Sequence, residues 1–256
     1  MFKQIEQSIA LLKKTKPLVL CLTNYVTMDF VANSLLACGA APIMSNDERE
    51  FEELIKISSA VYINIGTLNE AFVKQCEAAV VIAKKYKKPI VLDPVGAGAS
   101  AIRTAAAKTL AVHANIIRGN ASEILALAGD ASNTRGVEAT NSIDDAREFA
   151  ESLARALNCV VVISGAEDFI TDGSKNQSLK FGSDLMPLVT GMGCALTGVI
   201  AAFAGSMGDT FDAAVSGAAY FSLCGSAAHT TCKGPGEFKV KFLDALYVGE
   251  LSYERS

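Results

Sequence analysis

A rhythm in the chain limits what it can fold into: short runs of Val, Ile and Leu alternate with longer stretches whose apolar residues recur every three to four positions. The short runs are PLVLCLT, APIMS, AVYINIG, PIVLDPVG, NIIRGN and CVVVISG. Several are apolar throughout, as parallel strands covered on both faces must be. Between them, Phe72, Cys76, Ala79, Val80 and Ala83 repeat at helical spacing ahead of a basic stretch over 84–88. Ala146, Phe149, Ala150, Leu153 and Leu157 do the same further on. Strand, helix, strand units joined by right-handed crossovers follow from this pattern. The segment DFITDGSKNQSLKFG breaks it and reads as a hairpin around Asp172-Gly173 or Lys175-Asn176, which adds antiparallel strands to one sheet edge. The expectation is an α/β fold: a three-layer α/β/α domain with a mostly parallel central sheet and an antiparallel edge hairpin. No linker, repeat or low-complexity segment divides residues 1–256, so one domain is expected.

Composition then removes several classes of function. The net charge is -4 and the basic residues are scattered, which leaves no electrostatic footprint for nucleic acid. The start, MFKQIEQ, lacks the basic segment and apolar core of a secretory signal. Seven cysteines, an odd number with no C-x-x-C and mostly apolar neighbours, read as reduced thiols and place the protein in the cytoplasm. Ala-rich runs over 193–208 and 213–228 approach membrane length. Ser206, Asp209, Asp212, Ser216 and Ser222 interrupt them, so they read as buried, closely packed helices rather than membrane spans.

In open parallel sheets, ligands bind beyond the carboxyl ends of the strands. Here those ends are polar: Thr23-Asn24, Met44-Ser45-Asn46, Gly66-Thr67, Asp93-Pro94, Arg118-Gly119-Asn120, Ser164-Gly165 and Thr190-Gly191. VTGMGC, ahead of an apolar helix, offers successive backbone N–H groups at a positive helix end, which suits a phosphate; a glycine turn that merely starts a tightly packed helix accounts for it as well. RGNASE places Asn120 and Glu123 on one face of a helical first turn. Glu123 there either helps hold Mg²⁺ or caps the helix, and Asp93, closing a buried strand on the same rim, favours the cation. GAGASA matches a dinucleotide fingerprint weakly, since Asp93-Pro94 intervenes after the strand and the next strand ends in Arg118. No Walker-type phosphate loop is present, and neither His113 nor His229 has metal-ligand spacing to a cysteine.

Taken in order, LTNYVTMDFVAN, GAAPIMS, INIGTL, VLDPVGAGAS, RGNASEI, VTGMGCALTGVIAAF and GPGEFKVKFLDALY run along nearly the whole chain. Together they resemble the hydroxyethylthiazole kinases of the ribokinase-like superfamily. The resemblance implies transfer of a phosphoryl group from ATP, with Mg²⁺, to the side-chain hydroxyl of 4-methyl-5-(2-hydroxyethyl)thiazole in thiamine salvage. It assigns Asn24, Met44 and Gly191 to the thiazole, and Arg118, Asn120, Ser164 and Gly193 to ATP. Asp93 and Glu123 fall at the acidic positions around Mg²⁺, and residues 191–194 at the anion hole. Two departures stand out: Ser164 where the family often has Thr, and Met192 where Thr is common. A homotrimer with the thiazole bound between subunits is implied as well.

The same resemblance places Cys194 where related kinases carry an Asp that accepts the substrate proton. A thiol of ordinary pKa, about 8.5, is only a few per cent thiolate at neutral pH, and a helix N-terminus contributes about 0.3–1 kcal/mol. A modest base suffices, because phosphoryl transfer depends chiefly on alignment and on stabilising the transferred oxygens. The competing readings are a kinase for another small alcohol of vitamin metabolism, a non-catalytic nucleotide or thiazole sensor, and an NAD(P)-dependent oxidoreductase built on GAGASA.

Overall fold

Each short apolar run becomes a strand. In the computed structural model, which describes residues 2–129 and 143–249, these are β1 (Leu18–Leu22), β2 (Ala41–Met44), β3 (Ala60–Asn64), β4 (Ile90–Asp93), β5 (Ile116–Gly119) and β6 (Val160–Ile163). The hairpin segment forms β7 (Asp168–Thr171) and β8 (Asn176–Leu179), turning through residues 172–175. All eight join one sheet in the order β2-β1-β3-β4-β5-β6-β7-β8. Pairing is parallel from β2 to β6 and antiparallel over the last two pairs. The fold is thus the α/β/α arrangement with an antiparallel edge hairpin that the pattern predicts.

Side chains alternate between two cores. Val19 and Cys21 of β1, Tyr62 of β3 and Val160 and Val162 of β6 face one side. That side is filled by α1 (Phe2–Thr15), α2 (Met28–Cys38), α8 (Met192–Ser206), α9 (Thr210–His229) and α10 (Pro235–Val248). Leu20, Leu22, Val61, Ile63 and Val161 face the other, against α3 (Glu48–Ile57), α4 (Glu70–Lys85), α5 (Ala101–Ala111), α6 (Ala121–Ala128) and α7 (Ile143–Leu157). The two Ala-rich runs are α8 and α9, and small residues let them pack closely. A Cβ on Gly217 of α9 would lie 3.0 Å from the Cα of Ile200 in α8. No helix among the described residues is long and apolar enough to cross a membrane.

The chain leaves β1 for β2 on one side and returns to β3 on the other, so the order reverses between β1 and β3. A crevice opens at such a reversal, beyond the carboxyl ends of the strands. The amino end of α8 lies beside that rim: Cys194 is within hydrogen-bond reach of Asn24, which follows β1, and Gly193 lies against Arg118 of β5.

Candidate active site

The centre of the rim is Asn64, the last residue of β3 and fully buried. Its Oδ1 accepts the Gly66 N–H (2.9 Å) and the Asn24 Nδ2–H (2.8 Å). Its Nδ2 donates to the Tyr62 hydroxyl (2.8 Å) and to Asp93 Oδ2 (3.1 Å). The amide of Asn24 is equally determined. Its Oδ1 accepts from the backbone N–H and the hydroxyl of Thr27, both at 3.0 Å, so its Nδ2 faces Asn64 and the Cys194 sulfur, 3.4 Å away. The Tyr62 hydroxyl in turn donates to the Cys194 carbonyl (2.9 Å).

Asp93 ends β4 without solvent contact. Its Oδ2 accepts from Asn64 and from the Thr197 hydroxyl (2.9 Å), and lies 3.7 Å from Arg118 Nη1. Burial pushes its carboxyl up to about 6; the Arg118 guanidinium opposes this and the Glu123 carboxylate adds to it. Two buried polar atoms of opposite character here lack a hydrogen-bond partner, Asp93 Oδ1 and Arg118 Nε. Groups of this kind call for water, a cation or an anion. Arg118 also donates to the Ser164 hydroxyl, and Ser164 is held to β5 through its N–H on the Gly119 carbonyl (2.9 Å).

At the start of α8 the N-cap residue is Gly191 in the left-handed region (φ 95°), with no side-chain cap. By contrast α3, α4, α5, α6 and α9 are each capped by a side chain: Asp47, Asn69, Ser100, Asn120 and Asp209. The amides that open an α-helix have no acceptor within it, so the uncapped end of α8 presents N–H groups and a positive dipole to the rim. Gly193 lets Arg118 reach that end: an added Cβ would sit 2.5 Å from Arg118 Nη1. Cys194 is partly buried. Desolvation raises its thiol, the Asp93 charge raises it further, and hydrogen bonds from Thr27, Asn64 and Asn24 pull the other way. A thiolate is scarce here at neutral pH.

Glu123 forms the capping box that the RGNASE spacing allows. Its Oε2 accepts the Asn120 N–H (2.8 Å) while Asn120 Oδ1 accepts the Glu123 N–H (2.9 Å). Its other oxygen accepts the Gly96 N–H (2.8 Å), tying the loop after β4 to α6. Among the described residues no three His, Cys, Asp or Glu side chains converge to enclose a metal ion. Both Glu123 oxygens are taken by backbone N–H groups, and the unpartnered carboxylate oxygen on this rim is Asp93 Oδ1; a hydrated Mg²⁺ typically takes one or two carboxylates, keeps several waters and draws remaining ligands from phosphate.

The GAGASA loop is closed to a dinucleotide. Its amides are spent internally: Gly96 on Glu123, Ala97 on the Pro94 carbonyl, Gly98 on the Thr104 hydroxyl and Ala99 on the Gly96 carbonyl. The histidines are engaged elsewhere, His113 with Lys84 Nζ (2.7 Å) and His229 with the Ser183 hydroxyl (2.7 Å). No Cys/His pair forms with Cys194.

Beside the rim lies a cavity of about 620 Å³, large enough for a nucleotide. Its lining includes Arg118, Asn120, Ser164, Lys180 and Gly193 together with the apolar Phe181, Met186, Pro187, Leu196 and Phe221. Asn24, Asp93 and Cys194 are not among the residues that line this cavity. The structure thus gathers Asn24, Asp93, Arg118, Asn120, Glu123, Ser164, Gly191, Gly193 and Cys194 along one rim. Met44, at the end of the edge strand β2, stands apart from this network. Asn64, Tyr62 and Thr197 belong to the site without having been singled out in the sequence. The one local signal was an asparagine and a tyrosine within the otherwise apolar AVYIN.

Comparison with known proteins agrees with this architecture. The model of the "Hydroxyethylthiazole kinase family" matches residues 9–251. The hydroxyethylthiazole kinase of Chlamydia caviae is 49% identical over 257 residues, covering 100% of this chain and 98% of the relative. That of Oleidesulfovibrio alaskensis is 47% identical, covering 90% and 88%. The structure of hydroxyethylthiazole kinase from Pyrococcus horikoshii OT3 superposes with a TM-score of 0.90 at 35% identity, covering 96% of this chain and 93% of that one. A pyridoxal kinase from Staphylococcus aureus in complex with ADP, 16% identical with a TM-score of 0.65, shares the fold.

Proposed function

Because the chain belongs to the hydroxyethylthiazole kinase family, we propose that it transfers the γ-phosphoryl group of ATP to the hydroxyl of 4-methyl-5-(2-hydroxyethyl)thiazole, a step of thiamine salvage. The observation that carries this reading is the junction of Arg118, Gly193 and the uncapped start of α8, which joins a nucleotide-sized cavity to the Asn24–Cys194 side of the rim. In that junction Arg118, Asn120, Ser164 and Gly193 hold the polyphosphate. The amides at the start of α8 receive the transferred oxygens, and Asn24, Met44 and Gly191 bind the thiazole.

In the transfer, the acceptor oxygen forms a bond to the γ-phosphorus as the bond from phosphorus to the bridging oxygen of ADP breaks. The hydroxyl proton leaves to Cys194 or to water. Since burial and Asp93 both disfavour the thiolate, alignment and charge stabilisation supply most of the rate enhancement, with Cys194 a weak acceptor. Bound at Asp93 and Glu123, Mg²⁺ would neutralise phosphate charge during transfer. The unpartnered Asp93 Oδ1 supports that placement.

A homotrimer with the thiazole between subunits fits the exposure of Tyr25 and Val26 next to Asn24 and the separate position of Met44, which leave the acceptor side open in one chain. The reading covers one kinase domain over 1–256 in the cytoplasm, where the free thiols of the described residues suit a reducing compartment.

An ADP-release assay with hydroxyethylthiazole and a panel of other small alcohols, including hydroxymethylpyrimidines, tests the proposal. ADP should appear with the thiazole. Release with a different alcohol would reassign the substrate, and binding of ATP and thiazole without ADP would favour a sensor. Cys194→Asp, which installs the acid of related kinases, should retain appreciable activity; a folded but inert variant would remove Cys194 from the proton-accepting role. Glu123→Gln should raise the Mg²⁺ concentration needed for half-maximal turnover several-fold while the protein stays folded. An unchanged Mg²⁺ titration would leave Glu123 as a helix cap alone.

A further inference from the structure

We infer that Asn64, which does not line the nucleotide-sized cavity, is a positioning residue for phosphoryl transfer: it fixes Cys194 relative to Asp93 through two separate hydrogen-bonded arms. The inference rests on the kinase reading above and adds a residue to it.

An asparagine amide has two N–H donors and an oxygen with two lone pairs, and Asn64 uses all four. The Gly66 backbone N–H can only donate, so it sets which end of the amide is oxygen; the group cannot flip without placing two donors face to face. One arm runs from Asn64 Oδ1 to Asn24 Nδ2 and on to the Cys194 sulfur. The other runs from Asn64 Nδ2 to the Tyr62 hydroxyl and on to the Cys194 carbonyl. A branch of the same Nδ2 holds Asp93 Oδ2. The side chain and the main chain of Cys194 are therefore referred to one amide, which also anchors the carboxylate on the opposite side.

A solely architectural account is weaker. The rest of β3 is apolar save the Tyr62 hydroxyl, and a Leu at its end would serve the core without burying an amide. The partners of Asn64 outside its own strand and the turn after it are Asn24, just past the end of β1, and Asp93, the last residue of β4, both at the rim. Misplacement of reacting groups by about 1 Å can cost on the order of hundredfold in rate.

The test uses two variants and their double. Asn64→Leu should lower kcat about hundredfold and leave the KM for ATP within about threefold, since the polyphosphate is held by other residues. Tyr62→Phe removes one hydroxyl and keeps the ring in the core; it should lower kcat about tenfold with the same KM pattern. Because both act through Cys194, the double variant should be no slower than Asn64→Leu alone, the signature of a shared arm. A wild-type kcat in Tyr62→Phe, a loss confined to KM, or multiplicative losses in the double variant would overturn the inference. Should Asn64→Leu fail to fold, the kcat of Tyr62→Phe decides alone. If the wild-type protein released no ADP with any alcohol tested, the kinase reading would fail first, and the two failures are distinguishable.

Discussion

Arg118→Met is expected to lower kcat/KM for ATP by a hundred- to a thousandfold, roughly 3–4 kcal/mol of transition-state stabilisation. Of the two cationic side chains that line the cavity, Arg118 and Lys180, the guanidinium is the buried one, 12% exposed against 78% for Lys180, and it is fixed between Ser164 and Asp93. Methionine keeps much of the volume while removing the charge. It also leaves Asp93 without its opposing cation, so that carboxyl should be pushed further up. Steady-state kinetics with an ATP titration measures the effect. A loss smaller than tenfold would place the polyphosphate elsewhere.

Asp93→Asn should abolish most turnover and at the same time change how stability depends on pH. Burial holds the folded carboxyl at about 6, above the ordinary aspartate value of 3.8. A raised acid pKa means that the folded state keeps its proton while the unfolded chain has already ionised. The carboxyl is thus neutral to stability below pH about 4, becomes destabilising as pH rises toward 6, and stays so above. The full difference is on the order of 1–3 kcal/mol. Asparagine cannot ionise, so the stability of the variant relative to wild type should increase by that amount between pH 4 and pH 8, whatever fixed offset its lost contacts impose. Urea denaturation at the two pH values reads this directly. A constant offset would mean that burial does not raise the carboxyl in the folded protein.

Much of this was legible in the chain because burial on both faces forces a strand to be apolar. Polar residues at the strand ends, such as Asn24, Asp93, Arg118 and Ser164, therefore stand out and fall on one rim once the strands are parallel. Asn64 escaped for the same reason. AVYINIG reads as one run to Gly66, whereas β3 stops at Asn64 and the chain turns. Tyr62 looks like core, and it is; its hydroxyl accepts from Asn64 two residues on, but its acceptor, the Cys194 carbonyl, comes only with the approach of α8, more than a hundred residues later. Glu123 shows the converse. Its capping box is local and readable, but its second bond, from Gly96, joins a loop to the first turn of α6 across 27 residues and depends on the order of β4 and β5. The place of β2 at the sheet edge, which creates the crevice, likewise follows from crossover geometry rather than from any residue in it.

A crystal structure with Mg²⁺ and a non-hydrolysable ATP analogue tests the central claim most directly. The terminal phosphate should lie against Arg118 and within hydrogen-bond reach of the Gly193 and Cys194 amides, with its free face toward Asn24. A triphosphate lodged away from the start of α8, with Arg118 still turned to Asp93 and Ser164, would contradict the account.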